Sequence, residues 1–423
     1  MSNPIAFYWQ KQFDHTPLLA ELERIRVARS KGYDTIYSAL NVSFDSTLLD
    51  TTLGLAAQKR ELNPALMLII GIGGSMLGMQ ALVDALLGCS YNQNSTSLKI
   101  YSIDTIEPTR YARILDHMSA VLNAGREVLI LVITKSGTTT ETVANFEIAL
   151  ERLMRARPRS WASNIVAITD RHSPLWQCAV DQKWSCLEIP RTVGGRYSVF
   201  TPVGMFGLAM LGIETRELMR GAQDAVNRCL RDDQANPAVQ SALFLFDAAA
   251  HGFTIADLFL FDASLESLGK WYRQLMGESI GKQGKGLTPT VSIGTTDLHS
   301  MAQLYLDGPR DKVTMFVTVK QSEPDIIVPT DLPYQPLVDH LRGNSLNTIM
   351  DAIIVGVKRA YELQKLPFMT IELSERSAYT LGYVMQYKMI EMMLLGHLLQ
   401  VNPFDQPAVE LYKEQTRREL AHE

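Results

Sequence analysis

A chain of 423 residues is too long for one ordinary hydrophobic core and points to two or three domains. Its apolar fraction of 46% and charged fraction of 20% are those of a soluble globular protein, and a formal net charge of −5 leaves no basic field for nucleic acid or an acidic membrane. A local positive pocket for a small anion remains compatible with that balance.

The N-terminus has no basic n-region followed by an apolar h-region, so no signal peptide is expected. The longest apolar stretch, around Ala65–Ile72, is far below membrane-spanning length. The cysteines Cys89, Cys178, Cys186 and Cys229 form no C-x-x-C pair. That argues against zinc and against a disulfide framework, and fits a reducing compartment. A cytoplasmic enzyme is the resulting expectation.

In chain order, residues 1–60 are mixed and mostly helical in pattern, with Leu18, Leu19, Leu22 and Ile25 forming a stripe. Short β-branched-rich apolar runs follow at Leu66–Ile72, Leu98–Ile103, Val128–Ile133 and Ile165–Ile168. They are continuous rather than alternating, as in strands buried on both faces. Helical stretches at Met76–Leu87, Thr109–Met118 and Thr139–Arg155 follow most of them. The pattern then restarts, with candidate strands Ile255–Phe261, Thr314–Val319 and Phe368–Ile371. Candidate helices there are Glu266–Leu275, Met301–Leu306, Asn347–Gln364 and Thr380–Leu399. This alternation predicts an α/β fold of two domains, each a parallel sheet sandwiched by helices, with a break near Gly204–Thr215 and a C-terminal helical arm. The expected division is a helical segment 1–45, a first domain 46–210, a second domain 211–400 and the arm 401–423.

Two glycine- or hydroxyl-rich loops follow strands of the first domain. Gly71-Ile72-Gly73-Gly74-Ser75-Met76-Leu77-Gly78 opens a helix and suits a phosphate, because glycines let the backbone approach and the helix start offers free N–H groups. It is neither a dinucleotide fingerprint, since Met76 replaces the third glycine, nor a P-loop. A plain tight strand–helix turn explains it equally well. In Thr134-Lys135-Ser136-Gly137-Thr138-Thr139-Thr140-Glu141-Thr142, six of nine residues carry hydroxyls. Ordinary N-capping accounts for one or two of them, not six. Two such loops in one sheet suggest a single phosphate held between them.

Further along, Gly194-Gly195-Arg196-Tyr197-Ser198 would let an arginine reach back over a ligand, or is a surface turn. Gly277-Glu278-Ser279-Ile280-Gly281-Lys282 places a carboxylate at the end of a helical stretch, where it is usually just exposed. His299 lies in Gly294-Thr295-Thr296-Asp297-Leu298-His299-Ser300, and a lone histidine is more often structural. In the tail Asn402-Pro403-Phe404-Asp405-Gln406-Pro407-Ala408-Val409-Glu410-Leu411-Tyr412-Lys413, the side chains Gln406, Glu410 and Lys413 fall at i, i+4, i+7 of one helical face. Such a stripe is usually solvated.

Taken together and in this order, the six motifs resemble those of the phosphoglucose isomerase family, whose members carry sugar isomerase (SIS) domains. The resemblance spans Gly71 to Lys413. It implies two SIS-type domains and reversible isomerisation of D-glucose 6-phosphate to D-fructose 6-phosphate in glycolysis and gluconeogenesis, through ring opening and a cis-enediol. Carried over residue by residue, Ser75, Thr134, Ser136 and Thr139 hold the substrate phosphate, with Lys135 at the family's lysine and Gly74 among the substrate-binding residues. Many relatives have serine where this chain has Thr134, which keeps the hydroxyl. Glu278 is implied as the base that moves the proton between C2 and C1. Arg196 is implied to stabilise the developing negative charge, a role suited to a group that stays charged. His299 and Lys413 assist ring opening, Gln406 lines the pocket, and Glu410 supports it. Gln303 matches the family segment around His299. The resemblance further implies a homodimer, with His299 reaching the neighbouring subunit's site. Neither a metal nor a nucleotide or redox cofactor is implied. Three other readings stay open: another phosphosugar specificity on the same fold, the isomerase half of a fused enzyme, and a sugar-phosphate sensor without catalysis.

Overall fold

A computed structural model of the protein describes residues 4–93, 98–320 and 324–421. Its first sheet contains β2 (Pro64–Ile70), β3 (Lys99–Ile103), β4 (Glu127–Ile133), β5 (Ile165–Thr169) and β6 (Ser185–Glu188), all parallel, in the order β3-β2-β4-β5-β6. The second contains β1 (Ile5–Trp9), β7 (Ile255–Leu260), β8 (Thr288–Ile293), β9 (Lys312–Val319) and β10 (Phe368–Leu373), in the order β1-β10-β9-β7-β8. All seven strands read from the sequence are present, with ends within two residues of the expected ones.

Every residue of β2 is buried because the two faces of the sheet meet different cores. Leu66, Leu68 and Ile70 point to one cluster, with Val128, Ile130 and Val132 of β4, under the helices Pro108–Asn123 and Thr140–Ala156. The intervening Met67 and Ile69 point to the other. That period of two within an unbroken apolar run is what a doubly covered strand requires.

The second cluster is continuous across the molecule. It takes in the inner faces of both sheets and the helices Leu77–Leu87, Pro202–Met210, Glu266–Ile280 and Ala378–Leu398. The chain passes from the first sheet to the second through Pro202–Met210, whose nine residues are all buried. A smaller aromatic core of Phe259, Phe261, Phe316, Phe368 and Tyr361 covers the outer face of the second sheet.

Several elements differ from expectation. β1 lies in the stretch read as mostly helical, and it pairs antiparallel with β10, Ile5 opposite Leu373. The second sheet is therefore parallel except at that edge. β8 went unread because its face is half polar and it carries Pro289, which an edge strand tolerates. The helix from Glu266 runs to Ile280, not Leu275, so Glu278 sits in its last turn rather than in a loop. Gly281, not Gly277, ends it.

Helix Thr215–Cys229 crosses Ala378–Leu398 at two glycines. A Cβ on Gly221 would lie 1.9 Å from the Tyr379 carbonyl oxygen, and one on Gly382 would lie 2.0 Å from that of Leu218. Both obstacles are backbone, so neither can swing aside. Gly382→Ala is therefore expected to cost about 1–3 kcal/mol and lower the melting temperature by several degrees. An unchanged unfolding curve would mean that the helices part freely.

Candidate active site

A cleft of 730 Å³ opens beyond the carboxyl ends of β2 and β4, where the strand order of the first sheet changes direction. In open α/β sheets that switch point is the usual ligand site. The cleft is lined by both loops of the first domain, by Arg196, Gln274 and Glu278, and by Gln406, Val409, Glu410, Tyr412 and Lys413 of the tail. Gly74, Ser75, Thr134, Lys135, Ser136 and Thr139 all face it.

The hydroxyl-rich loop is not explained by capping. Thr139 is the N-cap of helix Thr140–Ala156, yet its side chain caps no backbone N–H. Instead its hydroxyl lies 2.8 Å from that of Thr134, and both lie 3.5 Å from the Ser136 hydroxyl. The result is a cluster of hydroxyls at the positive end of a 17-residue helix, suited to an anion. Lys135 lines the cleft, but its ammonium is engaged in donating to the Val193 carbonyl at 2.9 Å. Burial pushes its ammonium pKa down, against the pull of Asp170, with Arg191 adding to the burial effect.

The first loop meets the arginine loop at close range. A Cβ on Gly74 would fall 2.2 Å from the Gly195 carbonyl carbon, so only glycine lets the single turns Gly73–Ser75 and Gly195–Tyr197 stack.

Arg196 is 1% exposed, and all five of its N–H groups find acceptors. Nε donates to Ser279 Oγ at 2.9 Å. Nη1 donates to Glu278 Oε2 at 3.2 Å and to Gln406 Oε1 at 2.7 Å. Nη2 donates to the carbonyls of Pro403 at 2.5 Å and Asp405 at 3.1 Å. Glu278 has its other oxygen fixed by Gln274 Nε2 at 3.0 Å. Its carboxylate is thus oriented from both sides. Because the Gln406 carbonyl faces the guanidinium, its amide NH₂ remains for the cleft.

The tail departs from the expected stripe. Gln406 precedes the helix Val409–Ala421 instead of lying on it, because Pro407 pushes the residue before it out of helical geometry. Gln406 reaches the cleft all the same. Phe404 anchors the segment, its ring 5.2 Å from that of Tyr37 and 5.6 Å from that of Tyr197. Lys413 pairs with Glu410 at 2.8 Å, on a helix with no buried residue.

His299 does not join this group. It is exposed on the short helix Gly294–Ser300 and does not line the cleft of its own chain. Gln303 is also exposed and bonds Asp307 at 3.2 Å. Sequence reasoning missed Gln274, although its place four residues before Glu278 on one helix was a usable signal. It also missed Arg191, Asp170 and His172 on the cleft wall, for which no motif spoke, and Tyr412, which stands inside the tail motif beside Lys413.

The tail's two parts should behave differently. A chain ending at Val401 leaves Arg196 without its tail acceptors, and orphaned buried charged donors cost about 3 kcal/mol or more. It is expected to melt well below the full chain. A chain ending at Ala408 keeps those acceptors and should melt within about two degrees of it. Equal melting of all three would refute the tail's hold on Arg196.

The family model described as phosphoglucose isomerase matches residues 61–302 of this chain. A probable glucose-6-phosphate isomerase of Methanococcus maripaludis is 33% identical over 357 residues, 84% of this chain and 77% of that one. The glucose-6-phosphate isomerase of Mycoplasma capricolum is 34% identical over 420 residues, 95% of this chain and 96% of the other. Among solved structures, a hypothetical protein of Thermus thermophilus superposes with a TM-score of 0.86 at 29% identity, covering 96% and 95% of the two chains. A glucose-6-phosphate isomerase of Chlamydia trachomatis superposes with a TM-score of 0.80 at 18% identity, covering 99% and 88%, a likeness of fold.

Proposed function

We infer the work of the site from one premise: the chain belongs to the phosphoglucose isomerase family, and it interconverts D-glucose 6-phosphate and D-fructose 6-phosphate, a step of glycolysis. The observation that carries the residue assignments is that Arg196, Glu278, Gln406 and Lys413 share one cleft with the two anion-suited loops. We place the enzyme in the cytoplasm, where that pathway runs.

In this reading the phosphate rests on the hydroxyls of Ser75, Thr134, Ser136 and Thr139 and on the helix start behind them. That remote grip fixes the reacting carbons. Lys413 exchanges Glu410 for the ring oxygen and aids opening. The Glu278 carboxylate then takes the proton from C2 while the C1 carbonyl oxygen gains one from solvent, giving a cis-enediol. Glu278 returns its proton to C1 as the C2 hydroxyl gives its own proton to solvent and becomes the carbonyl, which completes the ketose. Arg196 has no free N–H to offer. It acts as a fixed positive charge beside Glu278 and by orienting the Gln406 amide toward the substrate oxygens.

A coupled assay tests this directly. Fructose 6-phosphate should yield glucose 6-phosphate with EDTA present, and Glu278→Gln should lower kcat by about 10³-fold with KM within roughly threefold. A Glu278→Gln protein turning over like the wild type ends the assignment.

His299 acts in the site only if a second chain supplies it. Supporting this, helix Leu346–Leu363 buries only Ile354 and Tyr361, and leaves Val355 66% exposed and Leu346 and Leu363 on the surface. The segment before it exposes Ile326, Ile327, Val338 and Leu337, the last at 88%. Its buried side shares a core with Leu298 and Met301, which flank His299. Apolar surface of this extent marks an interface, and we assign it to a second copy of the chain. Val355→Asp should shift the sedimentation of the protein from dimer to monomer and abolish most turnover. A fully active monomer would remove His299 from the mechanism.

A further inference from the structure

Lys282 closes the Gly-Glu-Ser-Ile-Gly-Lys run but does not line the cleft. Its side chain is 11% exposed and spans two parts of the chain 120 residues apart. Nζ lies 2.9 Å from Asp405 Oδ1 and also donates to the Asn402 carbonyl. Asp405 is a junction. Its Oδ2 accepts from Asn402 Nδ2 at 2.8 Å, its backbone carbonyl accepts from Arg196, and the next residue is Gln406.

Resting on the catalytic reading above, we propose that Lys282 is a positioning residue. It fixes the register of Asn402–Gln406 against Arg196 and Glu278, and so sets where the Gln406 amide stands relative to the base. The loop it belongs to begins three residues after Glu278, at Gly281. One ammonium therefore ties the end of the base-bearing helix to the segment that carries the opposite wall.

The fold does not depend on this tie. Phe404 packs against Tyr37 and Tyr197 through contacts in which Lys282 takes no part. Lys285 holds the end of helix Ala378–Leu398 independently, donating to the Leu399 carbonyl at 2.9 Å. Losing Lys282 should loosen the register and leave the core untouched. A displacement of about 1 Å at a reacting geometry costs on the order of a hundredfold in rate.

Lys282→Met is thus expected to lower kcat by about tenfold or more, with KM for fructose 6-phosphate within roughly twofold, since the phosphate loops are remote. Lys282→Arg should recover most of the rate. Asp405→Asn should lose a similar amount, and the double variant should be no worse than the worse single one, as for two ends of one tie. Hydrogen exchange followed by mass spectrometry should rise over residues 402–408 in Lys282→Met, a readout that stands even if the substrate were another sugar phosphate. Wild-type kcat in Lys282→Met, additive losses in the double variant, or unchanged exchange over 402–408 would each overturn the proposal. A wild-type enzyme silent on fructose 6-phosphate, with exchange still raised in Lys282→Met, would instead sink the catalytic reading and leave the tie.

Discussion

One buried guanidinium holds this site together. A charge with almost no contact with water survives only if its donors are satisfied and a counter-charge is near. Arg196 meets that condition with acceptors from the helix Glu266–Ile280 and from the tail, while its own loop stacks on Gly74. The Glu278 carboxylate, the Gln406 amide and the glycine loop at Gly74 are thereby located by a single group. Forming the site and docking the tail become the same event, which explains why a segment so close to the chain end is ordered at all.

The two ends of the cleft use opposite electrostatic means. In the proposed assignment the phosphate meets hydroxyls and the start of helix Thr140–Ala156, while Lys135 is committed to a backbone carbonyl. Neutral donors can hold a dianion and release it, because no strong ion pair must be broken when product leaves. The other end concentrates Arg196, Glu278, Glu410 and Lys413, where the proposed mechanism redistributes charge and fixed dipoles and ions would lower the barrier most. On the proposed assignments the architecture separates holding from chemistry.

Much of this was legible in the sequence because the constraints are local. The doubly buried strands announced themselves as unbroken apolar runs, and the second loop by more hydroxyls than capping needs, while the glycine loop read equally well as a plain turn. The capping explanation for Thr139 could be weighed beforehand but rejected only once its hydroxyl was seen turned to Thr134. What stayed hidden depends on partners distant along the chain. β1 is a strand because β10 lies beside it, some 360 residues later. Gln274 matters because the helix continues past Gly277, a residue that normally weakens helices and here does not end one. Gln406 was expected on a helix that Pro407 forbids it to join. His299 has no place in the cleft of one chain, and no periodicity could have said so.

The grip of Arg196 ends at Gln406, and the energetics change there. Beyond it, helix Val409–Ala421 buries nothing and is supported by surface pairs, Lys413 with Glu410 and Arg418 with Glu414. Such pairs contribute about 0.3–0.5 kcal/mol each, and an isolated helix of this length is marginal in water. The cleft therefore has one wall set by a fully satisfied buried charge and another that is only weakly fixed. A sugar phosphate bridging the two would order the weak wall through Lys413, drawing on the phosphate contacts at the far end. On the proposed assignment of Lys413, ring opening is thus tied to the binding of the phosphate, while Glu278 stands oriented by Arg196 and Gln274 before any substrate arrives.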